Sequence, residues 1–312
     1  MTIINSPIVA FQGVAGAYSD LVSRTLFPTA KTLPCAAFED VFASVTSEKA
    51  DVAVIPVENS VAGRVADVYH LLPDAGLFIH AQHFQKITHC LLGVKGARVE
   101  DITAVHSHVQ GLSQCRTYLR DKGLTPIVHV DTAGAAKDVA LWGDKTKGAI
   151  ASSLAAEIYG LDILDSDIAD AAHNTTRFLV LTRDKAIPVD DGGDFITTLV
   201  FETRSVPAAL YKALGGFATN GVNLSKIESY LLDGNFNAVQ FYVDVESHPE
   251  RDAMRHALEE LRFFSKDVRV LGVYRKARND TEYLAASPKN AARLDASIQE
   301  IQSGGGLQRD LL

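Results

Sequence analysis

The chain predicts an α/β fold in two parts: a layered portion on a largely parallel sheet, then a smaller ferredoxin-like βαββαβ unit. Three observations carry this. From Pro7 onward, short β-branched runs alternate with longer amphipathic ones, the pattern of helices laid over a sheet. From Phe195 the order becomes strand, helix, strand, strand, helix, strand, as in a split βαβ unit. The 312 residues, 47% apolar and 22% charged, can bury two lobes and an appendage.

In chain order, "PIVAFQG" reads as a strand and "AYSDLVSRTLF" as a helix, with Gly13 and Gly16 at their junction. The glycines make either a tight turn or a row of backbone amides facing a small anion; the third glycine and downstream acid of a dinucleotide fingerprint are missing. "FEDVFASVTSEKADVAVIPVENS" gives a helix and a near-continuous apolar strand ending at Glu58, Asn59 and Ser60, with "VAGRVADVYHLL" helical behind. Ligands of open α/β sheets bind beyond such strand ends. Asn59 and Ser60 alone are a helix cap, but the Glu58 carboxylate is costly there unless paired or exposed, so this end reads as the wall of a polar pocket.

A second group begins at His80: "HFQKITHCLLGV", "ITAVHSHVQGLSQCRTYLRDKG", "IVHVDTAGAAKDVALWG" and "GAIASSLAAEIYG". Its junctions carry Ser107 and His108, Thr132 and Ala133, and Ser152 and Ser153, residues suited to capping helices whose free amides attract anions. Ser107 and Gln110 have capping-box spacing, which alone accounts for both. In "HNTTRFLVL", Asn174, Thr175, Thr176 and Arg177 precede a strand beginning at Phe178. They form either an ordinary turn or a site, since a guanidinium matches a carboxylate and a hydroxyl both donates and accepts. "IPVDDGGD" reads as a linker, and the stretch after about Lys276, ending "SGGGLQRDLL", as a tail with at most one short helix.

The formal charge of −8 and the lack of a basic stripe argue against a nucleic-acid surface. An anionic substrate must then be captured by local donors. Cys35, Cys90 and Cys115 are odd in number and widely spaced, which predicts a reducing cytoplasm and neither a disulfide framework nor a zinc site. No basic leader or membrane-length apolar run is present, so a soluble, cytoplasmic protein is expected. No serine or cysteine has a matched base by spacing, and a covalent route is not indicated.

The strings "FQGVAGAYSD", "IPVENSVAGRVADVYHLL", "HCLLGV", "SHVQGLSQCRTYL", "DTAGAA", "AIASSLAAEIYGLDIL" and "NTTRFLVL" resemble, in order and spacing, the prephenate dehydratase family over 7–182. Behind them "PAALYKALGGFATNGVNLSKIES" looks like an ACT-type regulatory domain. The resemblance implies a two-lobed, periplasmic-binding-protein-like catalytic domain over 1–185, with lobe 1 at about 7–79 and 164–184 and lobe 2 at about 80–163. A linker over 186–194, an ACT domain over 195–278 and a tail over 279–312 would follow.

The family converts prephenate to phenylpyruvate by losing carbon dioxide and the ring hydroxyl together, without a cofactor or metal. By resemblance Thr176 is the catalytic residue, a donor to the departing hydroxide. Asn59, Ser60, Ser107, Gln110, Thr132, Asn174, Arg177 and Phe178 fall on the family's substrate-binding positions. Ala209, Leu210, Asn223, Leu224, Glu228 and Ser229 match the effector site for phenylalanine, and a homodimer or homotetramer through the regulatory domains is expected. The chain departs from the family at Val109 and Gly111, in "SHVQG" for "SHPQA", and at Tyr230 and Leu231, where an arginine and a proline are usual. Arogenate dehydratase, and a non-catalytic two-lobed carboxylate sensor, are the competing readings.

Overall fold

The computed structural model describes residues 6–204, 206–232 and 235–277; the tail expected over 279–312 lies outside them. The first third runs β1 (Ile8–Gln12), α1 (Tyr18–Leu26), β2 (Lys31–Cys35), α2 (Phe38–Thr46), β3 (Val52–Asn59), β4 (Gly63–Arg64), α3 (Ala66–Leu71) and β5 (Phe78–Lys86). Next come β6 (Cys90–Gly93), β7 (Ala104–Ser107), α4 (Val109–Gln114), α5 (Arg116–Asp121), β8 (Thr125–Val128), α6 (Thr132–Trp142), β9 (Lys147–Ala151), α7 (Ser153–Tyr159) and β10 (Asp162–Ser166). The rest is β11 (Thr175–Thr182), β12 (Phe195–Thr203), α8 (Ala209–Thr219), β13 (Leu224–Leu232), β14 (Asn235–Val245), α9 (Asp252–Phe264) and β15 (Ser265–Arg275).

Two sheets organise these strands. One has the order β13-β14-β12-β15-β5-β11-β3-β1-β2, with β4 paired to β3, and the other β10-β6-β9-β7-β8. Both are mixed, where a largely parallel sheet was expected. β1 runs parallel to β2 and β3, but β11 enters antiparallel between β3 and β5. A returning strand that slots into the middle of a sheet is covered on both faces, which is why "FLVL" is a continuous apolar run with Leu179 and Leu181 fully buried.

Sheet membership also moves the lobe crossings. β5 belongs to the first sheet through Lys86 and β10 pairs with β6 in the second, so the chain crosses near residues 87–89 and 167–174 rather than at 79–80 and 163–164. The segment "HFQK" resembles the start of a new group because three of its four side chains are polar, yet its backbone is bonded to β11.

After the linker, β12, α8, β13, β14, α9 and β15 follow the βαββαβ order, all four strands antiparallel to their neighbours within this part. In α9, Met254, Ala257, Leu258 and Leu261 are buried at helical spacing. They pack with Phe217 of α8 on Leu199, Phe201 and Val243. The other face carries Tyr230, Tyr242 and Tyr274 into one core with Val57, Tyr69 and Ile79. Strand β15 then bonds in parallel to β5, Gly272 opposite Ile79. The expected separate domain is therefore part of one compact unit that runs to Lys276. Among the described residues no helix is long and apolar enough to cross a membrane.

Candidate active site

The register of β3 against β11 builds the site. Thr176 lies opposite Asn59, and Arg177 lies opposite Glu58. Because alternate strand residues point to opposite faces, the first pair and the second face different surroundings. Thr176 and Asn59 line a cleft of about 420 Å³ between the two sheets, as do Gln110 and Thr132 from the second lobe and Phe178 from β11. That volume suits a small organic molecule.

The Asn59 amide is held by its own turn: Oδ1 accepts from the backbone N–H of Val61 at 2.9 Å and Ala62 at 2.8 Å. Its Nδ2 therefore donates, to Asn174 Oδ1 at 2.7 Å and to Thr176 Oγ1 at 2.9 Å. With an N–H already on that oxygen, the Thr176 hydroxyl proton is free to point elsewhere.

The remaining residues implied by the resemblance divide. Asn174 is buried behind the cleft wall and donates to Gln114 Oε1 at 3.1 Å. The Ser60 hydroxyl donates to the His173 carbonyl at 2.6 Å and accepts from Thr175 N–H at 3.0 Å, so it clips the end of β3 to the start of β11. Ser107 is fully buried and donates to the Ile150 carbonyl at 2.7 Å. It is not the cap of α4; His108 is, its Nδ1 accepting from Gln110 N–H. Asp131, not Thr132, caps α6, with Gly134 N–H 2.5 Å away.

Arg177 does not join the cleft, and neither does Glu58. Arg177 donates to Glu58 at 3.0 Å, Asp244 at 2.7 Å and the Tyr274 hydroxyl at 3.0 Å, all on the face turned to β12–β15. Burial opposes the charge of Arg177, but Asp244 and its neighbours outweigh it and hold the guanidinium protonated. Burial likewise pushes Glu58 up, while Lys226 at 2.5 Å and Arg177 win and hold it below its ordinary value. Arg177 sits one residue from Thr176, and pleating alone sends it the other way.

Of the residues implied at an effector site, Ala209 and Leu210 open α8 and Asn223 precedes Leu224 at the start of β13, its amide donating to Glu246 at 3.0 Å. Glu228 and Ser229 are successive on β13 and point to opposite faces. Glu228 accepts from Arg64 of β4 at 2.9 Å and from Lys226 at 3.2 Å.

Sequence reasoning missed Gln114, His89 and Tyr18 as cleft residues. Gln114 and His89 stand inside "SHVQGLSQC" and "HCLLGV", where each looks like an ordinary polar position near an apolar run. Only folding brings them together.

A family model described as prephenate dehydratase matches residues 9–186. The chain is 50% identical over 267 residues to the bifunctional N-acyl-homoserine lactone acylase/prephenate dehydratase of Komagataeibacter europaeus, covering 86% of this chain and 95% of that one. It is 41% identical to arogenate dehydratase/prephenate dehydratase 1, chloroplastic, of Arabidopsis thaliana, covering 85% of this chain and 71% of that one. Among solved structures, a quorum-quenching acylase, GqqA, superposes with TM-score 0.82 at 49% identity, covering 86% and 98% of the two chains. The prephenate dehydratase of Arthrobacter aurescens in complex with L-Phe superposes with TM-score 0.80 at 27% identity, covering 95% and 99%.

Proposed function

The chain belongs to the prephenate dehydratase family, and from that premise we propose that it converts prephenate to phenylpyruvate in phenylalanine biosynthesis. The observation that carries this is the hydrogen bond from Asn59 Nδ2 to Thr176 Oγ1 at the cleft wall. Hydroxide is a poor leaving group, and a donor must meet the ring oxygen as it departs. Threonine is too weak an acid to give up its proton alone. It acts as a preoriented donor, its oxygen already accepting from Asn59 and its O–H left for the substrate.

The described cleft residues include no lysine or arginine. Substrate carboxylates would be met by neutral amides and hydroxyls, Gln110, Gln114 and Thr132 among them. Weak neutral contacts suit the carboxylate that departs, because carbon dioxide leaves uncharged and tight binding of the ground state would slow it. Phe178 and Ile87 supply apolar wall.

Residues 195–276 we assign as an ACT-type regulatory unit that binds phenylalanine, a reading supported by the relative from Arthrobacter aurescens. The Arg64–Glu228 ion pair would carry occupancy of β13 to β4 and so to the end of β3. Exposed Ile227 on the edge strand β13 suits pairing with a second copy. The three unpaired cysteines suit a reducing cytoplasm.

Two other activities are tested in the same assay. Arogenate differs from prephenate only in a side-chain amino group. Hydrolysis of N-acyl-homoserine lactones is favoured by the 50% identity to the bifunctional relative, although the Thr176 hydroxyl faces an amide that cannot take its proton. Purified protein would be given prephenate, arogenate and an N-acyl-homoserine lactone side by side, with and without phenylalanine. Turnover of prephenate that phenylalanine alters is expected. No product from prephenate would sink the reading.

A further inference from the structure

Beside Gln114 stand buried His89 and half-buried Tyr18, a pair to which neither the resemblance nor the proposed chemistry assigns a role. Proton positions along it follow from the backbone outward. The turn after Asn59 fixes that amide, so Asn174 Oδ1 accepts from Asn59 and Asn174 Nδ2 must donate to Gln114 Oε1. The same oxygen lies 2.8 Å from His89 Nε2. A carboxamide oxygen only accepts, so Nε2 carries the proton.

Burial keeps His89 neutral, holding its pKa below the ordinary value against the hydrogen bond to Gln114. Its Nδ1 is then bare and lies 2.9 Å from the Tyr18 hydroxyl, whose single proton is shared with the Thr88 carbonyl, also 2.9 Å away. Gln114 is thus gripped by its oxygen from two donors. Its amino end is left to Asn59 Oδ1, 3.4 Å away, and to the cleft that Gln114 lines.

We propose that His89 is a positioning residue for the dehydratase: with Tyr18 behind it, it sets the direction of the Gln114 amide so that N–H, not C=O, faces bound substrate. This rests on the proposed function for its kinetic readout, but not for its structural one. Were the amide reversed, a carbonyl oxygen would confront a carboxylate or a departing hydroxide in a cleft whose described residues include no lysine or arginine to offset it.

Two substitutions separate positioning from simple packing. In His89→Gln the side-chain amide can replace the Nε2 donor; in His89→Asn it reaches only to the Nδ1 position and leaves Gln114 Oε1 with one donor. His89→Gln should keep kcat/KM within about threefold of the parent, and His89→Asn should lose roughly 10- to 100-fold. In a Gln114→Leu background the His89→Asn substitution should cost nothing further, because its effect acts through Gln114. Equal activity of the two His89 variants, or fully additive losses, would overturn the proposal.

A second measurement stands apart from turnover. Nitrogen NMR of the full chain, labelled at histidine and glutamine, should find His89 as the Nε2–H tautomer and the Gln114 amide resonances displaced in His89→Asn. An Nδ1–H tautomer would overturn the proposal even if every variant were active. If the parent turned over neither prephenate nor arogenate while these resonances behaved as expected, the functional reading would fail and the positioning role would stand.

Discussion

Arg177 Nη1 lies 2.7 Å from Asp244 Oδ2, so the strand that presents Thr176 to the cleft is tied by its next residue to β14. Both partners are buried, and Asp244 also accepts from the Thr198 hydroxyl at 2.6 Å.

Breaking that pair should cost far more than a surface ion pair would. Arg177→Ala strands a buried carboxylate, and the expected loss is about 3–5 kcal/mol. Asp244→Asn leaves a hydrogen-bonding group in place and should cost less. Urea unfolding followed by circular dichroism checks both; an Arg177→Ala midpoint equal to the parent's would show that the pair stabilises nothing.

Thr176→Ala removes one hydroxyl and leaves the fold intact, since the Asn59 amide keeps its bond to Asn174. Turnover of prephenate should fall roughly 100- to 1,000-fold, as on removing one preorganised donor, with the melting temperature nearly unchanged. Thr176→Ser should retain much of the activity. Near-parental turnover by the alanine variant would remove Thr176 from the chemistry.

Glu58 is held below its ordinary value of 4.5, burial being outweighed by Lys226 and Arg177. A carboxylate whose pKa is depressed on folding adds stability above its unfolded-state pKa and loses it as pH falls through the folded value. The parent should therefore outlast Glu58→Gln at pH 7, and the gap should close below about pH 4.5. Melting temperatures from pH 7 to pH 3 test this, and a gap independent of pH would refute it.

At the seam between β15 and β5 only glycine fits. A Cβ on Gly272 would overlap the carbonyl oxygen and Cβ of Ile79, atoms anchored to the backbone that cannot swing aside. Gly272→Val should destabilise by about 1–3 kcal/mol through overpacking. Hydrogen exchange should rise in both strands; an unchanged exchange pattern would mean the seam is not a tight contact.

Part of the candidate site was legible where neighbours in sequence are also neighbours in space. The end of β3 and the start of β11 were read as polar ends of buried strands, and Asn59, Gln110, Thr132, Thr176 and Phe178 do line one cleft. Arg177 was not legible, because its place depended on which face of β11 each residue takes, and register is set by pairing with β3 and β5. Ser107 looked like a cap on spacing, yet the chain turns one residue later and His108 takes that role. The lobe crossings were misplaced for a related reason: β5 is polar along much of its length, and only its bonds to β11 reveal its sheet.

By itself the sequence determined the α/β layering, the βαββαβ order after Phe195 and the family, since these depend on local periodicity and short motifs. The tertiary structure decided that the two parts share one sheet and one core, that Thr176 and Arg177 serve opposite sides of the same strand, and that His89 and Tyr18 stand beside Gln114. Those outcomes rest on contacts between residues far apart in the chain, whose orientation is set by pleating, register and the need of buried polar groups to find partners.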